Sequence, residues 1–595
     1  MERQGSVNRY RSLVELLRHR ADAQSDQPAY VFLGHNLQQE HSLTFAELET
    51  HARALARCLA PKVARGDRVL LVFPTDPAFI VAFFACLVLG AVAVPIMLPR
   101  RNAARDANAA IIADCAPRLA LVAPALADRM PIAWREQPTY HGVPCLPVEL
   151  PSSPPADVAG FEPDPDIDRD DLAFLQYTSG STSTPKGVMV THGNLLTNLE
   201  MLRIVAGNDH RSTHVGWLPL YHDMGLIVGA LEPLYLGALC VLMSPVGFMF
   251  RPLDWLRAIH RYRGKVAAAP NFAFELCVDR FRPELMQGVD LSTWHYAFVG
   301  AEPVRAETLQ RFTATFAPYG LDAKTLSPAY GLAEATVFVS SGPPSRGPVV
   351  KQISASRLQH GAMAAPSRAE DLRSLVGCGL AGQGLALAAV DPAGRRQVAN
   401  GMVGEIWLRG PSVAQGYWGR PAESAAVFRA RIEGAQGEWL RTGDLGCLDA
   451  EGELYIVGRL KDVIIVRGTN HYPQDLETTA SFCHPGLRRD HCAVFSLPAE
   501  DGTEQIVVVQ EVNRGNPGGW TASEMIAAIR AAIANNHELT VRSIVLIRPG
   551  TLPKTTSGKI QRSLTRQLWA DGRLDRWEAT QHATTRVPEG AFGGV

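Results

Sequence analysis

Short runs of apolar, β-branched residues alternate with longer segments of helical periodicity through the first 340 residues. We predict strands at Asp67–Val72, Leu119–Val122 and Trp294–Val299, because such runs between turn residues favour strands. Strands that alternate with helices favour sheets covered by helices on both faces. The pattern therefore predicts an α/β fold, with a large N-terminal domain of two helix-covered sheets.

One uncharged stretch covers residues 78–98, about 21 residues, a length that also suits a membrane span. Gly90 and Pro95 interrupt it, and its composition changes from Phe, Ala and Leu to Val and Ala near Gly90. We therefore predict a buried helix that ends near Leu89, followed by a short core strand at Ala91–Ile96. No membrane span is expected.

The pattern changes after the first 340 residues. Short strands with glycine turns between Gly377 and Tyr455 predict a small β subdomain. After Gly458 a separate α+β unit is predicted, with strands at Val463–Val466, Cys492–Phe495, Gln505–Glu511 and Ser543–Ile547 and a helix near Ser523–Asn535. The expected domains are residues 1–458 and 459–595. Residues 340–373 are rich in glycine and proline and indicate an insertion in the first domain, or a plain surface excursion.

Composition narrows the functional class. Hydrophobic residues make up 46% of the chain, charged residues 20%, and the net charge is -1, which is typical of a soluble globular protein. A neutral balance without long basic runs argues against nucleic acid as the main partner. The ten cysteines form no CxxC pair, and the N-terminus has no apolar core of the signal-peptide type. Reduced thiols in a cytoplasmic protein are expected.

The candidate chemistry begins at residues 175–188, LQYTSGSTSTPKGV. A Walker loop requires glycine directly before its lysine, and here Pro185 precedes Lys186. The segment still combines the hydroxyls of Thr178, Ser179, Ser181, Thr182 and Thr184 with a glycine that permits close backbone approach and one cation, which together suit a phosphate cradle. A solvated Ser/Thr turn is the alternative.

The segment resembles the phosphate loop of the adenylate-forming superfamily, which includes acyl-CoA synthetases, peptide-synthetase adenylation domains and firefly luciferase. Further motifs of that superfamily follow in the expected order: WLPLYHDMGL at 217–226, GAEP at 300–303, YGLAEAT at 330–336, LRTGDLG at 440–446, GRLKD at 458–462 and PKTTSGK at 553–559. Any one of these motifs is weak evidence, whereas six in order are strong. Ala333 and Ser183 depart from the usual Thr and Gly.

The resemblance implies that ATP and a carboxylic acid form an acyl adenylate and pyrophosphate. It assigns the β- and γ-phosphates of ATP to Thr178, Ser179, Gly180, Ser181, Thr182 and Lys186. It assigns adenine binding to Gly300, Ala301 and Glu302 of the GAEP motif, and to Tyr330 and Gly331 of the YGLAEAT motif. The remaining roles are Mg²⁺ for Glu334, the ribose hydroxyls for Asp444, the ribose and phosphate for Arg459, and the reacting carboxylate and α-phosphate for Lys559.

Simpler alternatives remain for several of these residues. A glutamate such as Glu334 is most often a surface helix carboxylate, and Asp444 by itself would be a turn residue. Lys559, on a glycine-containing loop, would by itself be solvated. His222 is either a buried structural imidazole or a gate near the acyl carboxylate. Lys461 and Asp462 are the implied hinge about which a mobile C-terminal domain rotates.

Several stretches resemble one branch of the superfamily, the fatty acyl-AMP ligases. They are FRPLDWL at 250–256, APNFAFEL at 269–276, SPAYGLAEATVFV at 327–339 and VRGTNHYPQDLE at 466–477. The insertion at 340–373 lies where those ligases carry an extra element. The resemblance implies transfer of the acyl group to the phosphopantetheine thiol of an acyl carrier protein, in polyketide or lipopeptide assembly. Since only 36 residues follow Lys559, a separate holo-carrier is expected.

The acyl substrate is less closely defined. No aspartate stands where amino-acid adenylation domains bind an α-amine, which favours a fatty acid. Met224, Phe272 and Phe274 are candidates for an apolar pocket or for ordinary core. A long-chain acyl-CoA synthetase is the first alternative function, and a catalytically silent nucleotide-binding scaffold is the second.

Overall fold

A computed structural model describes residues 9–99, 108–127, 143–151, 161–163, 166–178, 185–466, 469–498, 504–515, 518–555 and 558–577. The chain divides into two compact units, Met1–Leu460 and Lys461–Val595. The boundary lies two residues after the one expected from the sequence. Four residues of the predicted phosphate loop lie outside the described ranges: Ser179, Gly180, Ser181 and Thr182. Thr178 and Lys186, from the same prediction, lie within them.

Helices of the first unit follow the sequence signals for caps and apolar faces. In chain order they are α1 (Leu13–Ala23), α2 (Phe45–Leu59), α3 (Pro77–Val88), α4 (Asn108–Cys115), α5 (Pro124–Ala127), α6 (His192–Ala206), α7 (Glu232–Leu236), α8 (Pro245–Phe250), α9 (Leu253–Arg261), α10 (Asn271–Asp279), α11 (Ala306–Phe316), α12 (Ala355–Gln359) and α13 (Pro421–Phe428). A π-helix, Met224–Leu231, directly precedes α7. Helix α6 begins with a capping box between Thr191 and Asn194 and ends at Gly207, whose φ is 64°.

The strands of the first unit, again in chain order, are β1 (Pro28–Leu33), β2 (Gln39–Thr44), β3 (Arg68–Val72), β4 (Val92–Pro95), β5 (Leu119–Val122), β6 (Cys145–Pro147), β7 (Leu172–Thr178), β8 (Lys186–Thr191), β9 (His214–Gly216), β10 (Cys240–Met243), β11 (Val266–Pro270), β12 (Tyr296–Gly300), β13 (Leu326–Tyr330), β14 (Ser340–Ser341), β15 (Val350–Ser354), β16 (Leu372–Val376), β17 (Leu380–Ala381), β18 (Ala386–Val390), β19 (Gly404–Arg409), β20 (Leu440–Leu448) and β21 (Leu454–Arg459).

These strands form three main sheets. The first has the order β6-β5-β3-β4-β7-β8, and the second has the order β17-β14-β13-β12-β11-β9-β10-β1-β2. Both are parallel in their centres. The first is antiparallel only at its β7–β8 edge, and the second is antiparallel at both edges. The third, β18-β19-β20-β21, is antiparallel and is the small β subdomain expected from the sequence. The predicted α/β architecture with its β subdomain is confirmed.

The uncharged stretch is divided as the sequence predicts. Helix α3 begins after Asp76, whose carboxylate accepts the Phe79 N–H, and Gly90, with φ of 65°, turns the chain into β4. All the residues of α3 after Pro77 are buried, as expected of a helix that is apolar on every side. In the parts of the chain that the structure describes, no helix combines the length and apolarity needed to cross a bilayer.

The insertion at 340–373 has its own secondary structure. Strands β15 and β16 pair antiparallel, with Val350 opposite Val376 and Ser354 opposite Leu372, and α12 follows β15 directly. Ser354 caps α12, and its hydroxyl also contacts the Asp371 carboxylate. The segment therefore contains a strand pair and a short helix.

The second unit is an α+β domain, as predicted. Its strands are β22 (Ile464–Val466), β23 (Thr469–His471), β24 (Leu487–Pro498), β25 (Glu504–Val512) and β26 (Val541–Ile547), and its helices are α14 (Pro473–Phe482), α15 (Ala522–His537) and α16 (Arg562–Ala570). Strand β25 pairs antiparallel with β24 and parallel with β26. The strand expected at Cys492–Phe495 extends over Leu487–Pro498. The prediction was too short because the ends of the strand carry polar residues and lack an apolar pattern.

One buried side chain positions the segment after β13. Asn198 on α6 donates from Nδ2 to the carbonyl oxygens of Ala335 and Phe338, at 3.3 Å and 2.9 Å. Its Oδ1 accepts the N–H of Phe338 at 3.1 Å, and the residue is fully buried. A buried amide that fixes three backbone groups resists substitution, because each group would lose its partner.

We therefore expect Asn198→Ala to lower the free energy of unfolding by about 2–4 kcal/mol, measured by urea denaturation. The exposed Asn400 provides a matched control, and Asn400→Ala is expected to change stability by less than about 0.5 kcal/mol. Equal stability of the two variants would contradict this role for Asn198.

Candidate active site

The phosphate-loop candidate is carried by a hairpin. Strands β7 and β8 pair so that Thr178 lies opposite Lys186, which brings together the two ends of the loop. Tyr177 donates to Asp114 Oδ2 at 2.6 Å, and Arg420 donates to Asp114 Oδ1 at 2.8 Å. The base of the loop is thus held between α4 and the start of α13.

A second segment, residues 412–418, lies along β8 and is called here the linking segment. Met189 N donates to Gly416 O at 2.9 Å, and Trp418 N donates to Gly187 O at 2.8 Å. Tyr417 forms a β-bridge with Val188. The backbone of the linking segment therefore extends the edge of the first sheet and fixes where the Tyr417 ring lies.

The Tyr417 side chain connects the two predicted phosphate-side groups. Its hydroxyl donates to Glu334 Oε1 at 2.9 Å, and Lys186 Nζ lies 5.1 Å from the centroid of its ring. The Lys186 ammonium also pairs with the Glu423 carboxylate from the first turn of α13. Lys186 and Glu334 are about 150 residues apart in sequence, and Tyr417 brings them into one cluster.

The Glu334 segment is a short 3₁₀ turn, Ala333–Ala335, after β13. The linking segment holds it: Ala414 N donates to Glu334 O at 3.0 Å, and Thr336 Oγ1 donates to Ser412 O at 2.6 Å. Gly331 is required here, because a Cβ would lie 1.7 Å from the Val337 carbonyl oxygen. These contacts fix the carboxylate in one position.

Burial raises the pKa of Glu334, because the charged form loses hydration. Hydrogen bonds from its own backbone and from Tyr417 act in the opposite direction, as does the charge of Arg459, while Asp444 raises the pKa. Tyr330, on the strand that leads into the Glu334 turn, donates to Asp444, so the segment that carries Glu334 also contacts the predicted ribose side.

Tyr330, Asp444 and Arg459 form the other half of the site. Tyr330 donates to Asp444 Oδ2 at 2.8 Å, and Arg459 Nε lies 3.0 Å from Asp444 Oδ1. Asp444 and Arg459 are direct partners in the antiparallel register of β20 and β21. Burial raises the pKa of Tyr330, and the Asp444 charge raises it further. Each Asp444 oxygen has one partner within this unit, and an ionised carboxylate has further acceptor capacity for the predicted ribose hydroxyls.

The predicted adenine turn lies at the carboxyl end of β12. Gly300 ends that strand, and a Cβ there would lie 2.9 Å from the Ala329 carbonyl oxygen. Ala301 has φ of 63°. Glu302 Oε1 accepts the Phe272 N–H at 2.6 Å, so this carboxylate holds the first turn of α10. Carboxyl ends of parallel strands are the usual ligand edge of such sheets.

His222 lies just before the π-helix. Its Nδ1 is 2.7 Å from Asp223 Oδ1, and its carbonyl accepts the Leu226 N–H at 2.8 Å. The His222 side chain is 22% exposed, so the imidazole reaches a surface of the unit and is not a fully buried structural group. Asp223 also accepts the Met224 N–H and so caps the start of the π-helix.

The three candidates for the acyl pocket differ in position. Met224 is buried at the first turn of the π-helix, and Phe272 is partly buried with its ring 6.1 Å from that of Trp217. Phe274 is fully buried, with the rings of Trp255 and Phe312 at 5.7 Å and 5.0 Å. Phe274 therefore packs in the aromatic core, which was its alternative role.

A narrow apolar cavity lies between the π-helix and one face of the second sheet. Small residues of the helix, Gly225 and Gly229, form one wall, and Gly216, Leu242 and Ala268 of the strands form part of the other. Gly225 cannot carry a side chain, since a Cβ would lie 2.1 Å from the Pro219 carbonyl oxygen. The cavity is about 10 Å³, room for about one water molecule.

In the second unit, Lys559 lies on a loop closed by its own backbone. Thr555 N donates to Lys559 O at 2.7 Å, Lys559 N donates to Thr555 Oγ1 at 3.0 Å, and Lys554 forms a β-bridge with Ile560. This loop begins α16, whose first residue is Arg562.

Arg562 joins this loop to the predicted hinge. It donates to both carboxylate oxygens of Glu477 at 2.7 Å and to Asp462 Oδ2 at 3.0 Å. These two carboxylates raise the pKa of the guanidinium, although burial opposes them. The sequence gave no reason to single out Arg562, because its partners lie 85 and 100 residues away.

Among the described residues, no group of three or more acidic, histidine or cysteine side chains could hold a metal alone. A single fixed carboxylate at Glu334 still fits Mg²⁺, which takes one or two protein carboxylates and completes its octahedron with water and phosphate oxygens.

Comparison with known proteins agrees with this geometry. The chain matches the family described as AMP-binding enzyme over residues 17–418, and the family described as Disco-interacting protein 2-like, AMP domain, over residues 461–579. The chain belongs to the AMP-binding enzymes. The expectation of an adenylate-forming enzyme is confirmed.

Relatives place it more closely. It is 40% identical to the medium-chain-fatty-acid–acyl-carrier-protein ligase JamA of Moorena producens, across 97% of this chain and 98% of that one. It is 36% identical to a putative fatty-acid–CoA ligase, fadD25, of Mycobacterium tuberculosis, across 96% and 99%. A crystal structure of the fatty acyl-adenylate ligase from L. pneumophila, in complex with acyl adenylate and pyrophosphate, matches with a TM-score of 0.73 and 35% identity over 96% and 98%. Within its family the chain is a fatty acyl-AMP ligase.

The Tyr417 hydroxyl favours the ionised form of Glu334, so its removal should raise the pKa of this carboxyl further. Because the ionised carboxylate is present only above its pKa, we expect Tyr417→Phe to move the acid limb of the kcat/KM profile to higher pH by about one unit. The profile is measured by pyrophosphate exchange.

Tyr319→Phe serves as the control. The Tyr319 ring packs against Phe281 and Phe316. Its profile should match that of the unmodified enzyme. An unshifted acid limb in folded Tyr417→Phe would contradict the proposed link.

Proposed function

We propose that the enzyme activates a fatty acid with ATP to give an acyl adenylate and pyrophosphate, and then transfers the acyl group to the phosphopantetheine thiol of an acyl carrier protein. The observation that carries this proposal is the cluster in which Lys186, Tyr417 and Glu334 adjoin Asp444 and Arg459. It provides cations and one metal-binding carboxylate where two anions must react.

The roles of the individual residues follow from the charges. Lys186, with the loop at 179–184, would bind the β- and γ-phosphates, and the triphosphate would then replace Glu423 as the partner of its ammonium. Asp444 would accept the ribose hydroxyls, and Arg459 would support the phosphate side. Adenine would lie between Tyr330 and the turn at 300–302.

Glu334 would hold Mg²⁺, which supplies charge stabilisation at the transferring phosphate when bound. The Tyr417 hydroxyl would keep the Glu334 carboxylate oriented and ionised. His222 would lie near the acyl carboxylate, with Asp223 fixing its ring. These contacts orient the reactants and reduce the electrostatic barrier to their approach.

The fatty chain would lie beside the π-helix, where Met224 and Phe272 would offer apolar contact. Each methylene buried there would contribute about 0.8 kcal/mol. Phe274 would support these side chains from the aromatic core.

Lys559 would act in the adenylation step by bridging the carboxylate and the α-phosphate, and the second unit would then rotate about Lys461–Asp462 to expose the adenylate to the carrier thiol. We expect Lys559→Ala to lower kcat for adenylate formation by about 100-fold or more while ATP still binds, because the lysine stabilises the transition state. Adenylate is measured by mass spectrometry and ATP binding by calorimetry.

Lys62 is an exposed lysine in the turn that follows α2. Lys62→Ala controls for the loss of a positive charge and should leave adenylate formation and ATP binding unchanged. An enzyme without fatty-acid-dependent pyrophosphate exchange, and indifferent to Lys559→Ala, would be the silent scaffold instead.

The acceptor is tested directly by offering purified enzyme ATP, Mg²⁺ and a fatty acid with either holo-acyl carrier protein or CoA. Relatives named for each acceptor exist, and the ordered hairpin at 340–373 supports the ligase branch. We expect acyl-carrier product and little acyl-CoA. Efficient acyl-CoA formation would identify a CoA synthetase.

A further inference from the structure

The lysine predicted to bind phosphate already has an anionic partner. Lys186 is the first residue of β8, and its ammonium pairs with the carboxylate of Glu423 in the first turn of α13. The two side chains are 20% and 35% exposed, so water and salt screen their attraction only in part. A phosphate group that approaches Lys186 therefore meets a carboxylate that already neutralises the ammonium.

The backbone that carries Glu423 is fixed beside that lysine. The hydroxyl of the next residue, Ser424, donates to the Arg420 carbonyl at 2.7 Å and accepts the Tyr417 N–H at 2.9 Å. A Cβ at Gly416 would lie 2.8 Å from the same hydroxyl oxygen, so the start of α13 packs directly on the linking segment. Because the linking segment pairs with β8, Glu423 and the first residue of that strand share one backbone framework.

Each oxygen of the Glu423 carboxylate faces a different cation. Oε1 pairs with Lys186, and Oε2 lies 4.0 Å from a guanidinium nitrogen of Arg420. Arg420 also donates to Asp114 Oδ1 at 2.8 Å, so it keeps a carboxylate partner when Glu423 is replaced. Lys186 differs, because its other neighbour is the uncharged ring of Tyr417, 5.1 Å from the ammonium. Removal of the Glu423 charge would therefore act mainly on Lys186.

We propose that Glu423 competes with the β- and γ-phosphates for Lys186, and so weakens the binding of ATP and speeds the release of pyrophosphate. The ion pair opens when these phosphates bind and closes again when pyrophosphate leaves. Glu423 acts through Lys186 and is a positioning residue. This inference rests on the proposed function, because it requires that Lys186 binds the two phosphates.

The competition distinguishes the leaving product from the intermediate. Pyrophosphate consists of the two phosphates that Lys186 would bind, whereas the acyl adenylate keeps only the α-phosphate. A carboxylate that reclaims Lys186 therefore lowers the affinity for pyrophosphate and leaves the affinity for the adenylate nearly unchanged. The enzyme would release one product while it retains the other for transfer to the carrier thiol.

The test replaces Glu423 by glutamine, which keeps the size of the side chain and removes its charge. Binding of ATP, pyrophosphate and AMP to the full chain, each with Mg²⁺, is measured by calorimetry. We expect Glu423→Gln to lower Kd for ATP and for pyrophosphate about fivefold, the size expected for a partly exposed ion pair. Kd for AMP should change less than about twofold, because AMP lacks both competing phosphates.

Kinetics provide a second readout. In Glu423→Gln the KM for ATP and the inhibition constant of pyrophosphate should both fall about fivefold, while kcat does not rise. Glu433→Gln is the matched control, because it removes the charge of a carboxylate that is 58% exposed and pairs with Arg396. All constants of this control should equal those of the unmodified enzyme.

A further pair of variants tests whether Glu423 acts through Lys186. In a Lys186→Gln background the carboxylate has no ammonium to withhold, so the added Glu423→Gln change should alter Kd for pyrophosphate less than about twofold. A full fivefold effect in that background contradicts action through Lys186.

The outcomes separate this inference from the proposed function. Unchanged or weaker binding of ATP and pyrophosphate by Glu423→Gln that still binds AMP, or equal tightening of all three ligands, overturns the competition while adenylation stands. If the glutamine variant does not fold, the same comparison with Glu423→Ala decides the matter. An unmodified enzyme without fatty-acid-dependent pyrophosphate exchange overturns the proposed function and this inference with it.

Discussion

The site depends on keeping one buried carboxylate charged. Burial by itself favours the neutral form of Glu334, and a neutral group would be a poor ligand for a hard cation. The protein offsets this cost with a hydroxyl from Tyr417, a guanidinium at Arg459 and the backbone around Glu334. A divalent ion and a triphosphate would complete the same balance of charge, so the site is suited to bind them together.

Backbone pairing, more than side-chain packing, brings these groups together. The register of β20 and β21 sets Asp444 beside Arg459, and that of β7 and β8 sets Thr178 beside Lys186. The linking segment then joins β8 to the Glu334 turn through backbone hydrogen bonds at both ends. Because register is fixed over a whole strand, the distances within the site are insensitive to the flexibility of individual side chains.

The sequence predicts the chemistry better than it predicts the support for it. Local motifs are enough to locate Glu334, Asp444 and the uncharged helix and strand at 78–98, since each is defined by neighbouring residues. Tyr417 and Asn198 contact the same turn from 83 and about 140 residues away, and neither stands in a recognisable motif. Phe274 shows the opposite difficulty: an apolar residue beside a motif gives no sign of whether it faces a cavity or the core. Such assignments require the tertiary contacts.

Within the second unit, one guanidinium determines how far the Lys559 loop can move by itself. Arg562 lies three residues after Lys559 and binds Asp462 and Glu477 at once. Its side chain lies partly buried between two carboxylates, and to separate them would leave a charge without a partner. Rotation at Lys461–Asp462 would therefore carry the Lys559 loop as part of a rigid body. The lysine would enter and leave the site by movement of the whole domain.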